Sequence, residues 1–278
     1  MTDHARPTLA SRVRALAEHA TRPFAPGADN PRFAVDAPTL ARELARLRRA
    51  PVVLEHPVVV VSGWRAPAVA ARMTAARLAS LTSRDLGDFL PVSLFSVRSF
   101  TQAANALVDA VDARWPSGSP DATTRVDVVA ISMGGLASRL AGAPREIVDP
   151  VAPGLRARRL SIARLFTLAT PHRGASLTGV VAVDAPSRDM RPGSPLLRAL
   201  ADALARDPIA IVPYARLRDG MVGARNTAPP GMCPLWVDGP PALSHLAITT
   251  DRRIMLDLAL RLRGEPPVAQ PGKPPPRQ

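Results

Sequence analysis

From residue 51 onward the sequence alternates short, almost wholly apolar runs with longer segments of helical period, and this alternation constrains the fold more than any other feature. "HPVVVVSGW" reads as a buried strand, "AVAARMTAARLASLT" as a helix, "DFLPVSLFSV" as a strand and "TQAANALVDAVDARW" as a helix. The pattern continues with "RVDVVAI", "RLFTLAT", "PIAIVPYARL" and "CPLWVDG" as strands, and "MGGLASRLAG", "SPLLRALADALA" and "DRRIMLDLALRLRG" as helices. Apolar strands without a polar face need cover on both sides, and intervening helices supply it. The expected fold class is therefore α/β, with a mostly parallel sheet between two helical layers.

Two flanking regions differ in composition. Residues 1–50 carry two arginine-rich helical patterns, "SRVRALAEHA" and "APTLARELARLRRA", joined by a Pro/Gly/Asn-containing loop, and form an N-terminal helical extension on the main domain of residues 51–264. The segment 265–278, "EPPVAQPGKPPPRQ", is rich in proline and poor in apolar residues, so it is expected to be a disordered or extended tail. No internal repeat is visible.

The chain has 278 residues, of which 46% are hydrophobic and 21% charged, as in one soluble globular domain. Its formal charge of +13 invites a nucleic-acid reading, but Lys273 is the single lysine among 36 basic residues. The arginines are scattered along helical faces, and aromatics are only 4%, too few for stacking platforms, so no nucleic-acid partner is expected. The positive field suits anionic substrates or peripheral contact with a membrane surface. One cysteine, Cys233, excludes an internal disulfide framework. Neither a signal-peptide core nor a transmembrane run is present, and a cytoplasmic location is the default expectation.

In open parallel sheets, ligands bind beyond the carboxyl ends of the strands. In "VDVVAISMGGLASRL" a strand runs into Ser132 and then a glycine-rich helix start, with Ala130 and Gly134 two residues to either side. Small residues there suit a nucleophile elbow, the tight strand-to-helix turn that lifts a serine hydroxyl clear of the sheet. An ordinary Ser-Gly turn has the same appearance.

A serine nucleophile needs a base. His4 and His19 lie in the extension, and His56 precedes a strand at its wrong end. His245, in "ALSHLAITTD", follows the last strand and is the candidate. His172, in "LATPHRGAS", reads as a structural histidine bracing the loop beside the elbow.

The acid that orients the histidine should fall between Ser132 and His245 in this fold class. Asp219, in "ARLRDGMVG", is favoured, with Asp238 in "WVDGPP" as second choice; Asp184 and Asp189 read as solvated loop acids. Two backbone N–H donors are needed for a developing oxyanion, and Met133 and Trp64 occupy the expected positions.

These residues resemble the lipase and esterase branch of the α/β-hydrolase superfamily, including bacterial lipases with an alanine-first elbow and PGAP-type deacylases. The resemblance covers about residues 56–262. It rests on "AISMGG", on "LFTLATPHRGAS" (similar to TLxTPHxG), on "DMRPGSPLLRAL" (similar to PGSPxLxxL), on "RDGMV" (similar to DGxV) and on "HLAITTD". It implies an α/β-hydrolase fold with a small cap or none. It also implies a carboxylic-ester hydrolase acting on a small ester or lipid through an acyl-serine, with Ser132, Asp219 and His245 as triad.

No cofactor and no metal are expected. Ser62-Gly63 stands where His-Gly is common in the family, and Ile131 where a histidine is frequent. A flap, "SLTGVVAVDAPSRDM", is placed to cover an acyl pocket. A non-catalytic binding protein on the same fold, or an acyltransferase using the same triad, are the competing readings.

Overall fold

The structure is a computed structural model that describes residues 30, 33, 35–175, 184–239 and 244–276. The helical pattern expected at 11–20 and the first half of the expected flap lie outside the described residues.

Among the described residues six strands form one sheet: β1 (Val58–Val61), β2 (Phe89–Val92), β3 (Val126–Ile131), β4 (Ile162–Leu168), β5 (Ala210–Arg216) and β6 (Leu235–Val237). Their order is β2-β1-β3-β4-β5-β6 and every pairing is parallel. The chain first steps from β1 to one side and then returns to the other, so the order reverses between β1 and β3. Loops leaving these two neighbours diverge to opposite faces and open a crevice at their carboxyl ends. Pro91 sits in β2, an edge strand, where a missing N–H costs no ladder bond.

Side-chain alternation along β1 divides the core into two. Val59 and Val61 face α3 (Phe100–Arg114), α4 (Met133–Gly142) and α7 (Pro195–Arg206). Val58 and Val60 face α1 (Ala37–Arg49), α2 (Ala68–Leu81) and α9 (Arg252–Leu262). All four valines are fully buried, each contributing ~1.5–3 kcal/mol relative to exposure. The fold class read from the sequence is thus the one observed. Leu44 and Leu47 of α1 join the second core, so this part of the N-terminal extension is continuous with the main domain.

Three short helices escaped the periodicity: α5 (Arg145–Val148), α6 (Ala185–Asp189) and α8 (Ser244–Ala247). Each is about one turn, too short for an amphipathic stripe to declare itself. Among the described residues, no helix is long and apolar enough to cross a membrane.

Of the two forms expected for the proline-rich segment, disordered or extended, the described part takes the extended one. Residues 265–276 follow an extended path that is tied to the domain. The Ala269 N–H donates to Asp257 Oδ1 at 2.7 Å, and its carbonyl accepts from Arg261 at 2.6 Å. Trp236 Nε1 donates to the Lys273 carbonyl at 2.8 Å, and Arg225 Nε to that of Pro275 at 2.8 Å. Prolines stiffen the unfolded chain, so docking the segment costs less entropy, and their carbonyls remain free to accept hydrogen bonds.

Candidate active site

Ser132 follows the last residue of β3 and precedes the first of α4, with φ 52° and ψ −125°. That left-handed turn is one of several: Arg65, Ala169 and Arg218 also have positive φ, and each follows closely on the carboxyl end of β1, β4 or β5. Strained non-glycine backbone, costing ~1–3 kcal/mol per residue, is thus concentrated on one rim of the sheet.

The glycines around Ser132 answer to close approach. A Cβ on Gly134 would come within 2.7 Å of the Ser62 carbonyl, and one on Gly135 within 2.2 Å of Thr170 Oγ1. A Cβ on Gly63 would stand 3.2 Å from that of Ser132, so the loops after β1 and β4 close on the elbow from both sides. Backbone bonds lock it there. Ser132 N–H donates to the Leu168 carbonyl at 2.8 Å, while the Ser132 carbonyl accepts from Gly135 N–H at 3.1 Å and from Thr170 Oγ1 at 2.8 Å.

His245 is carried by α8 and is 8% exposed. Its Nε2 lies 3.1 Å from Ser132 Oγ, and its Nδ1 lies 2.8 Å from Asp219 Oδ2. A carboxylate can only accept, so in the neutral imidazole the proton sits on Nδ1 and Nε2 is left to accept from the serine hydroxyl. Asp219 is buried, and its other oxygen accepts from the N–H groups of Met221 (3.0 Å) and Val222 (3.1 Å), which fix the carboxylate plane.

Asp238 lies elsewhere: it is half-exposed and pairs with Arg253 at 3.1 Å. Asp184 caps α6 through Ser187 N–H (3.0 Å) and meets Arg65 at 3.4 Å. Burial pushes the Asp189 carboxyl above its usual range.

Met133 is the first residue of α4, where a helix leaves its N–H without an intrahelical acceptor. Trp64 lines the crevice beside Gly63, under the Arg65 guanidinium at 4.8 Å. The Ser62 side chain holds this loop: its Oγ accepts from Leu94 N–H at 2.9 Å, while Ser62 N–H donates to the Val92 carbonyl at 3.0 Å. A small hydroxyl thereby ties the loop after β1 to the end of β2.

His172 is buried beside the elbow. Its Nδ1 is 3.0 Å from Arg139 Nη1, its Nε2 3.1 Å from Thr167 Oγ1, and Arg139 Nη2 donates to the Leu200 carbonyl at 2.6 Å. Since a guanidinium only donates, His172 accepts at Nδ1 and is neutral. Burial and the neighbouring Arg139 charge both hold its pKa well below the ordinary value. Burial also pulls Arg139 down to about 10. Thr170 and Arg139 were not marked by the sequence, and Ser62 was marked only as a departure from the family's His-Gly. Thr170 and Arg139 lie inside quoted motifs, but nothing local distinguishes a threonine that bonds the next strand's loop.

A cavity of about 190 Å³ opens at Ser132 and His245. Gly63, Trp64, Ala70, Ile131, Met190 and Val222 are among the residues that line it.

No protein-family model and no curated protein matches the chain. Solved structures do. The lipase BlEst2 of Bacillus licheniformis in its mature form is similar with a TM-score of 0.51 and 15% identity, over 76% of this chain and 94% of that one. Its propeptide form gives 0.51 and 14%, over 81% of this chain and 54% of the other. Phospholipase PlaB from Legionella pneumophila is more distant, with a TM-score of 0.46 and 14% identity over 62% and 45%, a likeness too loose to carry weight. With its all-parallel sheet, its strand–turn–helix elbow and its likeness to BlEst2, the chain has an α/β-hydrolase fold.

Proposed function

We propose that this chain is a serine carboxylic-ester hydrolase. The observation that carries the reading is the hydrogen-bonded row Ser132–His245–Asp219, at 3.1 and 2.8 Å, on the carboxyl rim of the sheet. The solved structure it resembles is a lipase, which supports the same chemistry.

In this reading Ser132 Oγ attacks the ester carbonyl carbon while His245 Nε2 takes its proton, and Asp219 stabilises the resulting imidazolium. The carbonyl π bond opens to an oxyanion, held by the N–H groups of Met133 and Trp64. Collapse breaks the C–O bond to the alcohol, which leaves with the proton from His245, and Ser132 retains the acyl group. Water, deprotonated by the same His245, then attacks the acyl carbon and releases the acid and free serine. Acyl transfer to an alcohol would differ only in that last acceptor.

The test is covalent. A fluorophosphonate probe should label the wild-type chain at Ser132, and Ser132→Ala should abolish both labelling and hydrolysis of p-nitrophenyl butyrate, a loss of roughly 10⁴-fold or more. A folded wild-type chain that neither labels nor hydrolyses would overturn the proposal in favour of a binding protein.

A further inference from the structure

The cavity beside Ser132 has a direction. Met190 on its wall is 5% exposed, whereas Met221 and Leu246 are 42% and 66% exposed. The mouth therefore lies by Met221 and Leu246, while Met190 is a long side chain buried in the lining.

Its lining contains no Asp, Glu, Lys or Arg among the described residues. A charged acyl group would leave water there without a partner, so the occupant is apolar. Size sets the second limit. At about 190 Å³ the space is slightly larger than an engineered ~150 Å³ apolar cavity that holds one benzene, and smaller than the ~300–1,000 Å³ of sites for drug-sized ligands.

The walls are not free to spread. The Met190 carbonyl accepts from Ala175 N–H at 2.9 Å, and Ser187, one turn earlier, is bonded to Asp184 through both its N–H (3.0 Å) and its hydroxyl (2.6 Å). Opposite, Arg77 Nη1 on α2 donates to the Thr249 carbonyl at 2.5 Å, joining the helix that carries Ala70 to the turn after His245. Stretching the cavity would break these bonds as well as close packing.

We propose that the site takes esters of neutral, straight acyl chains of about four to eight carbons, the number an apolar space of this size holds by comparison with one benzene ring. Met190 acts as the length stop. This inference rests on the ester-hydrolase reading above. It makes Met190 and Ala70 residues that determine specificity: one fills cavity space with a long buried side chain, and the other, by being small, leaves space open.

The experiment measures kcat/KM on p-nitrophenyl acetate, butyrate, octanoate, laurate and palmitate for the full-length wild type, Met190→Ala and Ala70→Leu. In the wild type kcat/KM should climb about fourfold per added methylene, the equivalent of ~0.8 kcal/mol per buried CH₂, then peak between butyrate and octanoate and fall at least about tenfold by palmitate. Met190→Ala should move the peak toward laurate, and Ala70→Leu toward acetate. The two variants shift in opposite directions, so general damage to folding cannot imitate both. A wild-type peak at palmitate, or unchanged profiles in two folded variants, overturns the length stop while leaving the hydrolase reading intact. If no ester of any length is hydrolysed and Ser132 takes no fluorophosphonate, the hydrolase reading fails and the chain-length inference falls with it.

Discussion

Thr170 Oγ1 donates a 2.8 Å hydrogen bond to the Ser132 carbonyl, and the same hydroxyl lies 2.2 Å from where a Cβ on residue 135 would be. One side chain from the loop after β4 therefore both fixes the turn at Ser132 and requires glycine three residues later. Gly135→Ala should destabilise the fold by ~1–3 kcal/mol through overpacking, read as a shift in the denaturant midpoint. Thr170→Ala in the same chain should recover part of that loss, since it removes two of the three clashing atoms. Full additivity of the two substitutions would contradict the contact.

Ser132 has φ 52° in a region that favours glycine. Relieving that strain should make Ser132→Gly more stable than Ser132→Ala by ~1 kcal/mol, although both lose the hydroxyl. Thermal melts of the two variants decide it; an equal or higher Tm for the alanine variant would mean the turn stores no strain.

Of Asp219 and Asp238, only Asp219 lies against Nδ1 of His245. Asp219→Asn should lower kcat on a butyrate ester by about 10⁴, because an amide can hold the imidazole in the wrong tautomer. Asp238→Asn breaks a half-exposed pair with Arg253, worth ~0–1 kcal/mol, and should leave kcat within a few-fold. The reverse ranking would favour Asp238 over Asp219 in the proposed triad.

His172 is neutral and buried, with a pKa held well below 6.5 by burial and Arg139. In the unfolded chain it regains its ordinary pKa and binds more protons than in the fold. Stability at His172 is therefore complete above about pH 6.5 and falls as the pH drops toward its lowered folded pKa. His172→Gln removes that linkage, so the drop in Tm between about pH 7.5 and 5.5 should be smaller than in the wild type. Identical pH profiles would show that His172 is not what acid attacks.

The extended C-terminal segment supplies the Ala269 N–H to the buried Asp257, whose other oxygen accepts from Tyr214 Oη at 2.7 Å and Arg261 Nε at 2.8 Å. Ending the chain at Gly264 leaves that carboxylate short of a donor and should cost at least ~1–3 kcal/mol. Urea melts of the shortened chain check this, and an unchanged midpoint would mean the segment docks without contributing.

How much was legible in the sequence depended on whether a signal was periodic or merely close in space. The valine run 58–61 and the helical stripes of α2, α3, α7 and α9 announced themselves, because burial on both faces leaves no room for polar residues at fixed spacing. Ser132, Asp219 and His245 could be placed because each follows a recognisable strand end. The docking of residues 265–276 was not legible: proline-rich composition describes a chain with little apolar surface, and says nothing of which buried groups await its backbone.

By itself the sequence determined the layering of strands and helices and the choice of which side chains reach the sheet's carboxyl rim, since hydrophobic period and chain order are local properties. Only the tertiary structure brought Asp219, and not Asp238, against His245, gave Thr170 and Gly135 their shared contact, set the size of the cavity, and buried Met190 in its lining. Those outcomes depend on distances between segments far apart in the chain, and such distances are fixed by packing the two helical layers on the sheet.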